Sequence, residues 1–130
     1  MTLISMTDKG LFCPIGKFYI DPYCGVGTAV ITHAHADHAK LGSENYITNT
    51  FGIPILKKRL GSKIKISGLD YGESKNINSV KVSLHPAGHI LGSSQVRLEF
   101  KSEVVVVTGD YKRAFDQTCE GFQSLQCDTL

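Results

Sequence analysis

The chain lacks most of what would place it in several large protein classes. Its 130 residues contain no apolar run longer than Val104 to Val107, against the roughly 20 that a membrane-spanning helix requires. The opening segment, "MTLISMTDKG", has neither a basic patch nor a sustained apolar stretch, so a cytoplasmic location is expected rather than secretion. Cysteine is sparse. Cys13, Cys24, Cys119 and Cys127 show no Cys-x-x-Cys spacing and no dense framework, which leaves reduced, structural thiols. A dominant charge is missing too: 14 basic residues against 12 acidic ones give a net charge of +2, too balanced for a pure nucleic-acid binder. Histidine is also scarce, with five in the whole chain, and that scarcity makes its distribution informative.

Three of the five histidines fall within "ITHAHADHAK", where His33, His35, Asp37 and His38 lie within six consecutive positions behind a β-branched run. Alanines and an aspartate interrupt the cluster and it lies inside a patterned region, so it is not a tag. Neutral imidazoles and a carboxylate are the ligand set of zinc and similar cations. In an extended backbone His33 and His35 project to one side, being two apart. Asp37 and His38 are adjacent, where the chain is expected to turn into a short helix, and can address a second cation.

Distant residues of matching type follow two further strands. "HPAGHILGSSQ" supplies His89 after Gly88, and "VVVVTGDYKR" ends with Asp110 after Gly109. A glycine before each lets the backbone turn sharply. Singly, a histidine after Pro-Ala-Gly reads as a turn residue and an aspartate after Thr-Gly as a cap; their coincidence with the first cluster favours a site. Three nitrogen ligands with a position left open make a catalytic rather than a structural geometry. His85 is expected to be a strand-end residue, at most a hydrogen-bond partner to a ligand.

The remaining pattern is dominated by short strands: 17–20, 28–32, 45–48, 63–67, 80–84, 95–100 and 104–108. Alternation at Val80, Val82 and Leu84, and at Val96, Leu98 and Phe100, marks strands with one buried face. "VVVVT" does not alternate and reads as covered on both sides. "EFKSEVV" is expected to be a tight hairpin, "SKNINS" (74–79) a polar turn, and about 51–60 a helix with Pro54 in its first turn. "KKRLGSKIK" carries five basic residues and no acid, the composition of a solvated helix face.

"THAHADH", "PAGHILGS" and "TGDYKR", in that order, resemble the ligand motifs of the metallo-β-lactamase superfamily. With "FYIDP" upstream, the wording is similar to its β-CASP nucleic-acid-processing branch, above all to bacterial ligase-associated DNA exonucleases related to mRNA 3′-end-processing nucleases. The resemblance implies an α/β fold, the αβ/βα sandwich, of which 1–130 is expected to be a partial domain: the N-terminal half, sheet-rich with few outer helices. It implies two divalent metal ions, zinc first and manganese as the alternative, with His33, His35 and His89 on one, Asp37 and His38 on the other, and Asp110 bridging. Asp37 is expected to be catalytic by orienting the nucleophile. Lys112 and Arg113 are placed by position and charge for substrate binding, with Ser93 and Ser94 as weaker candidates. The expected activity is hydrolysis of nucleic-acid phosphodiesters, as a DNA exonuclease functionally associated with an ATP-dependent DNA ligase. A small-molecule metallo-hydrolase of the same superfamily and a non-catalytic nucleic-acid-binding subunit are the alternatives.

Overall fold

Two β-sheets account for the alternating apolar pattern. The computed structural model describes residues 3–32, 40–87 and 94–108. The first sheet is formed by β1 (Ser5–Thr7), β2 (Gly10–Cys13), β3 (Phe18–Ile20), β4 (Thr28–Val30), β5 (Asn45–Asn49) and β6 (Ile66–Leu69), in that spatial order. β1, β2 and β3 pair antiparallel, whereas β3, β4, β5 and β6 run parallel. The second sheet is antiparallel throughout, with β7 (Ser74–Ile77), β8 (Val80–Pro86), β9 (Ser94–Phe100) and β10 (Glu103–Val107) in consecutive order.

Period-two alternation decides which way each strand faces. Phe18, Ile20, Val30 and Ile47 from the first sheet meet Val80, Val82, Leu84, Val96, Leu98 and Val105 from the second in one buried cluster. The opposite face of the first sheet presents Ala29, Ile31 and Tyr46, which pack with Leu56 of helix α1 (Ile53–Leu60). Helix, sheet and sheet therefore make three successive layers. Each fully buried Val, Leu or Ile contributes roughly 1.5–3 kcal/mol, so the inter-sheet cluster is the main source of cohesion.

α1 follows a 3-10 turn at Thr50–Gly52 and carries Pro54 in its first turn, where no intrahelical donor is lost. Asn49 caps that turn by accepting from the Phe51 N–H (3.0 Å), and its amide donates to the Leu69 carbonyl (3.0 Å). The ends of β5 and β6 are thereby held together. Gly61, with φ of 102°, terminates the helix by donating to the Lys57 carbonyl (2.8 Å).

Most strand expectations agree with the structure, and the departures have physical reasons. Residues 74–77 pair with β8 through the main chain; only Asn78 and Ser79, with φ of 48° and 76°, form the turn. Ser74, Lys75 and Asn76 are exposed, as befits a strand that pairs with β8 and carries polar side chains on its edge. The strand expected at 63–67 begins instead at Ile66, opposite Tyr46 of β5, and runs on to Leu69, opposite Asn49. β1 and β2, which the alternation did not mark, form a hairpin across Asp8 and Lys9 whose corner is tied by Thr7 donating to the Gly10 carbonyl (2.7 Å). The hairpin at Lys101 and Ser102, both with positive φ, is as expected. In β10, Val105 and Val106 face opposite ways and both are buried.

Candidate metal centre

The candidate ligands follow β4, β8 and β10, and the registers show where those strands end relative to one another. Pro86 of β8 lies opposite Ser94 of β9, while Val107 of β10 lies opposite Val96. The segment leading to His89, the return after it and the segment leading to Asp110 thus leave the second sheet at one edge. Gln95 ties the first two across their base, its amide donating to the Pro86 carbonyl (3.0 Å).

The first sheet joins the same edge through one residue. Thr32, fully buried and immediately before His33, accepts a hydrogen bond at its carbonyl from the Ser94 N–H (2.8 Å). This bond crosses between the sheets. It places the roots of the histidine cluster and of the His89 segment side by side, although they are far apart in sequence.

Asp21 secures Thr32 from the other side. The Thr32 N–H donates to Oδ1 (2.8 Å) and the Thr32 hydroxyl to Oδ2 (2.6 Å), so one carboxylate fixes backbone and side chain together. Asp21 closes β3 with φ of 48°, and its own N–H donates to the Val30 carbonyl (3.0 Å). A non-glycine residue in the left-handed region is uncommon, though aspartate tolerates it better than most. The sequence pattern yielded Asp21 only as part of "FYIDP", with no role attached; a carboxylate between a strand and a proline was the available signal.

The chain returning from the histidine cluster is held equally firmly. The buried Tyr46 hydroxyl donates to the Lys40 carbonyl (2.7 Å) and accepts from the Ser43 N–H (3.1 Å). Gly25 and Gly42 pass so closely that a Cβ on Gly25 would stand 2.6 Å from the Gly42 carbonyl oxygen. No side chain fits between these two backbones.

His33, His35, Asp37, His38, His89, Asp110, Lys112 and Arg113 themselves lie outside the described residues, as do Ser93, the short helix expected at Asp37, Cys119 and Cys127. Among the described residues no group of three histidines, cysteines or carboxylates could hold a metal ion. His85 belongs to β8 proper and is buried, its Nε2 standing 2.8 Å from the Ser83 hydroxyl on the face of the second sheet turned away from the inter-sheet core. Cys13 and Cys24 are free thiols. Burial pushes the Cys13 thiol up, against the opposing effect of the Gly16 and Ile15 N–H groups, so it remains a neutral core residue.

No family model matches the chain. It is similar to a "Probable DNA ligase" of Opitutus terrae, 30% identical over 81% of this chain and 10% of that one. It is similar also to RNase aCSPSF2 of Saccharolobus solfataricus, 33% identical over 62% of this chain and 22% of that one. The endoribonuclease YSH1 of Saccharomyces cerevisiae is 36% identical over 41% of this chain and 7% of its own length. The chain therefore spans between about a tenth and a fifth of the first two relatives. Among solved structures, a protein of unknown function from Enterococcus faecalis V583 matches with a TM-score of 0.55 at 18% identity, over 66% of this chain and 25% of that one. CmlA, a diiron β-hydroxylase from Streptomyces venezuelae, matches with a TM-score of 0.52 at 18% identity, over 68% of this chain and 21% of that one. At such identities the structural likeness is one of fold. No described helix is long and apolar enough to cross a membrane.

Proposed function

This chain belongs to the metallo-β-lactamase superfamily, in the branch shared with the β-CASP nucleases, and on that premise we propose that its protein is a metal-dependent nuclease hydrolysing nucleic-acid phosphodiesters. The observation that carries the reading is the Thr32–Ser94 hydrogen bond between the sheets (2.8 Å). It sets side by side the residues from which two segments depart, and the sequences of those segments contain four histidines and an aspartate, a donor set that fits borderline divalent cations.

In this reading His33, His35 and His89 would hold one cation and Asp37 and His38 the other, with Asp110 serving both. When bound, a cation pair supplies Lewis-acid stabilisation of the phosphoryl oxygens and a more acidic water. The Asp37 carboxylate orients the attacking water by accepting one of its hydrogen bonds. Lys112 and Arg113 offset the negative charge that gathers on the non-bridging oxygens. Asp21 and Thr32 act by positioning, keeping the root of the histidine cluster from shifting as charge builds up.

DNA is preferred over RNA as the substrate because similarity to the ligase-named relative extends over more of this chain than similarity to either RNA nuclease. The finer reading is a zinc- or manganese-dependent DNA exonuclease working beside a DNA ligase. The test incubates the intact protein with end-labelled DNA and RNA strands and with a thioester. Release of mononucleotides from DNA, abolished by chelation, restored by zinc or manganese and sharply reduced by Asp110→Asn, is expected. Thioester hydrolysis without nucleotide release would overturn the nuclease reading.

A further inference from the structure

We propose that the basic surface formed by the end of α1 and the segment entering β6 is a second contact for nucleic acid, gripping the strand away from the bond that is cut. The inference rests on the nuclease reading above. Lys57, Lys58 and Arg59 are exposed in the last turn of α1, and Lys63 and Lys65 are exposed in the segment that follows. None of the five takes part in an ion pair among the described residues.

Helix chemistry explains only part of this cluster. Cations in a last helical turn offset the negative end of the helix dipole, each worth about 0.3–1 kcal/mol, which accounts for Lys57, Lys58 and Arg59. Lys63 and Lys65 lie beyond Gly61, where the helix has ended, and stabilise no dipole. They continue the same charge along the chain without an intervening acid. A row of unpaired cations of this kind matches a polyphosphate backbone.

The surface also has a shaped floor. Leu41, Leu60, Ser62, Lys63 and Ile64 line a hollow of about 520 Å³. Leu41 is 67% exposed and offers an apolar surface beside the cationic rim. It follows directly on Lys40, whose carbonyl Tyr46 anchors. One wall of the hollow is therefore made by the segment that returns from the histidine cluster. Sugars and base edges fit such a floor while phosphates meet the rim.

Reach is consistent with a single bound molecule. The Lys65 carbonyl accepts from the Tyr46 N–H, and Tyr46 lies opposite Ala29, three residues before Thr32. Three residues along a strand and two strand spacings across give about 14 Å from Lys65 to the root of the histidine cluster. At 3.4 Å per base step that is about four steps of a duplex. A substrate of a dozen base pairs touches both places, whereas a dinucleotide touches only one.

The test compares the intact protein with two multiple variants, Lys63→Gln/Lys65→Gln and Lys57→Gln/Lys58→Gln/Arg59→Gln. Affinity for a labelled duplex is measured against salt concentration, and turnover is measured on a long duplex and on a dinucleotide. Loss of two phosphate contacts on a duplex lowers the salt slope by about 1.8, which corresponds to roughly 30-fold weaker binding at 0.15 M salt. The first variant is expected to show that loss, with unchanged turnover of the dinucleotide. An unchanged slope with normal turnover on both substrates would leave the cluster as a solvated face and overturn the proposal. Unchanged duplex binding combined with loss of binding to polyglutamate would assign the surface to an acidic protein and overturn it as well. Absence of turnover on every nucleic acid in the unaltered protein would instead count against the nuclease reading, and the binding series would still decide the surface.

Discussion

Replacing Asp21 separates the physical contributions that converge on Thr32. The carboxylate accepts from the Thr32 N–H at 2.8 Å and from its hydroxyl at 2.6 Å, and Thr32 is fully buried. A hydrogen bond to a charged group contributes about 1.5–3 kcal/mol. Asp21→Ala removes both acceptors, and alanine also tolerates the φ of 48° less well than aspartate, so a loss of about 3–6 kcal/mol is expected. Asp21→Asn retains one acceptor oxygen and the tolerance of positive φ, and should cost about 1.5–3 kcal/mol. Thr32→Val removes the hydroxyl's bond to Asp21 and should resemble the asparagine variant. Urea denaturation of the intact protein measures this series: at a slope near 2 kcal/mol per M, the asparagine midpoint falls by about 1 M and the alanine midpoint by about twice that. Metal content should decline in the same order, because the root of the histidine cluster loses its anchor. An Asp21→Ala protein whose midpoint moves by less than about 0.25 M would show that the carboxylate is dispensable, and would refute the positioning role.

Three further outcomes can be measured. Gly25→Ala places a methyl group 2.6 Å from the Gly42 carbonyl oxygen; the backbones must separate, costing about 1–3 kcal/mol, and metal affinity measured by competition with a chelator should fall, whereas Gly61→Ala, with nothing near its absent side chain, should leave that affinity unchanged. Cys24 should react with iodoacetamide in the native protein while buried Cys13 reacts only on unfolding, a difference that peptide mapping reads directly. The raised Cys13 value also has an alkaline consequence: above the ordinary thiol value of 9.0 the unfolded chain loses a proton that the folded chain keeps, so stability falls as pH rises through that window. The difference between the parent and Cys13→Ala at pH 8 and pH 10 isolates this effect; identical slopes would refute it.

Much of the fold was legible because its signals are local. Val80, Val82 and Leu84 alternate, and they form the inner face of β8 as the alternation requires. Val104 to Val107 do not alternate, and the strand they form buries both faces at its centre. β7 was hidden because Ser74, Lys75 and Asn76 pair through their backbones at an edge, which places no demand on side-chain polarity. The candidate ligands were legible by type and spacing, since imidazole chemistry does not depend on context. What holds them was not. The contacts of Thr32 with Asp21 and Ser94, and the close pass of Gly25 and Gly42, join residues 11, 62 and 17 positions apart, the separations being 32 − 21, 94 − 32 and 42 − 25, and no local pattern encodes a long-range contact.

The Thr32–Ser94 bond also bears on how the protein matures. It closes a loop of 62 residues, 94 − 32, for which the entropic cost is roughly 4 kcal/mol before any constant term. In the proposed site neither sheet alone supplies every ligand, since His89 and Asp110 follow strands of the second sheet, so full metal loading is expected only once the two sheets have docked. A cation that binds the folded chain and not the unfolded one then stabilises the docked arrangement by mass action. In the proposed site metal arrival is then a late event on the folding pathway and a reporter of it: the rate of uptake by refolding protein is expected to follow the rate of sheet docking.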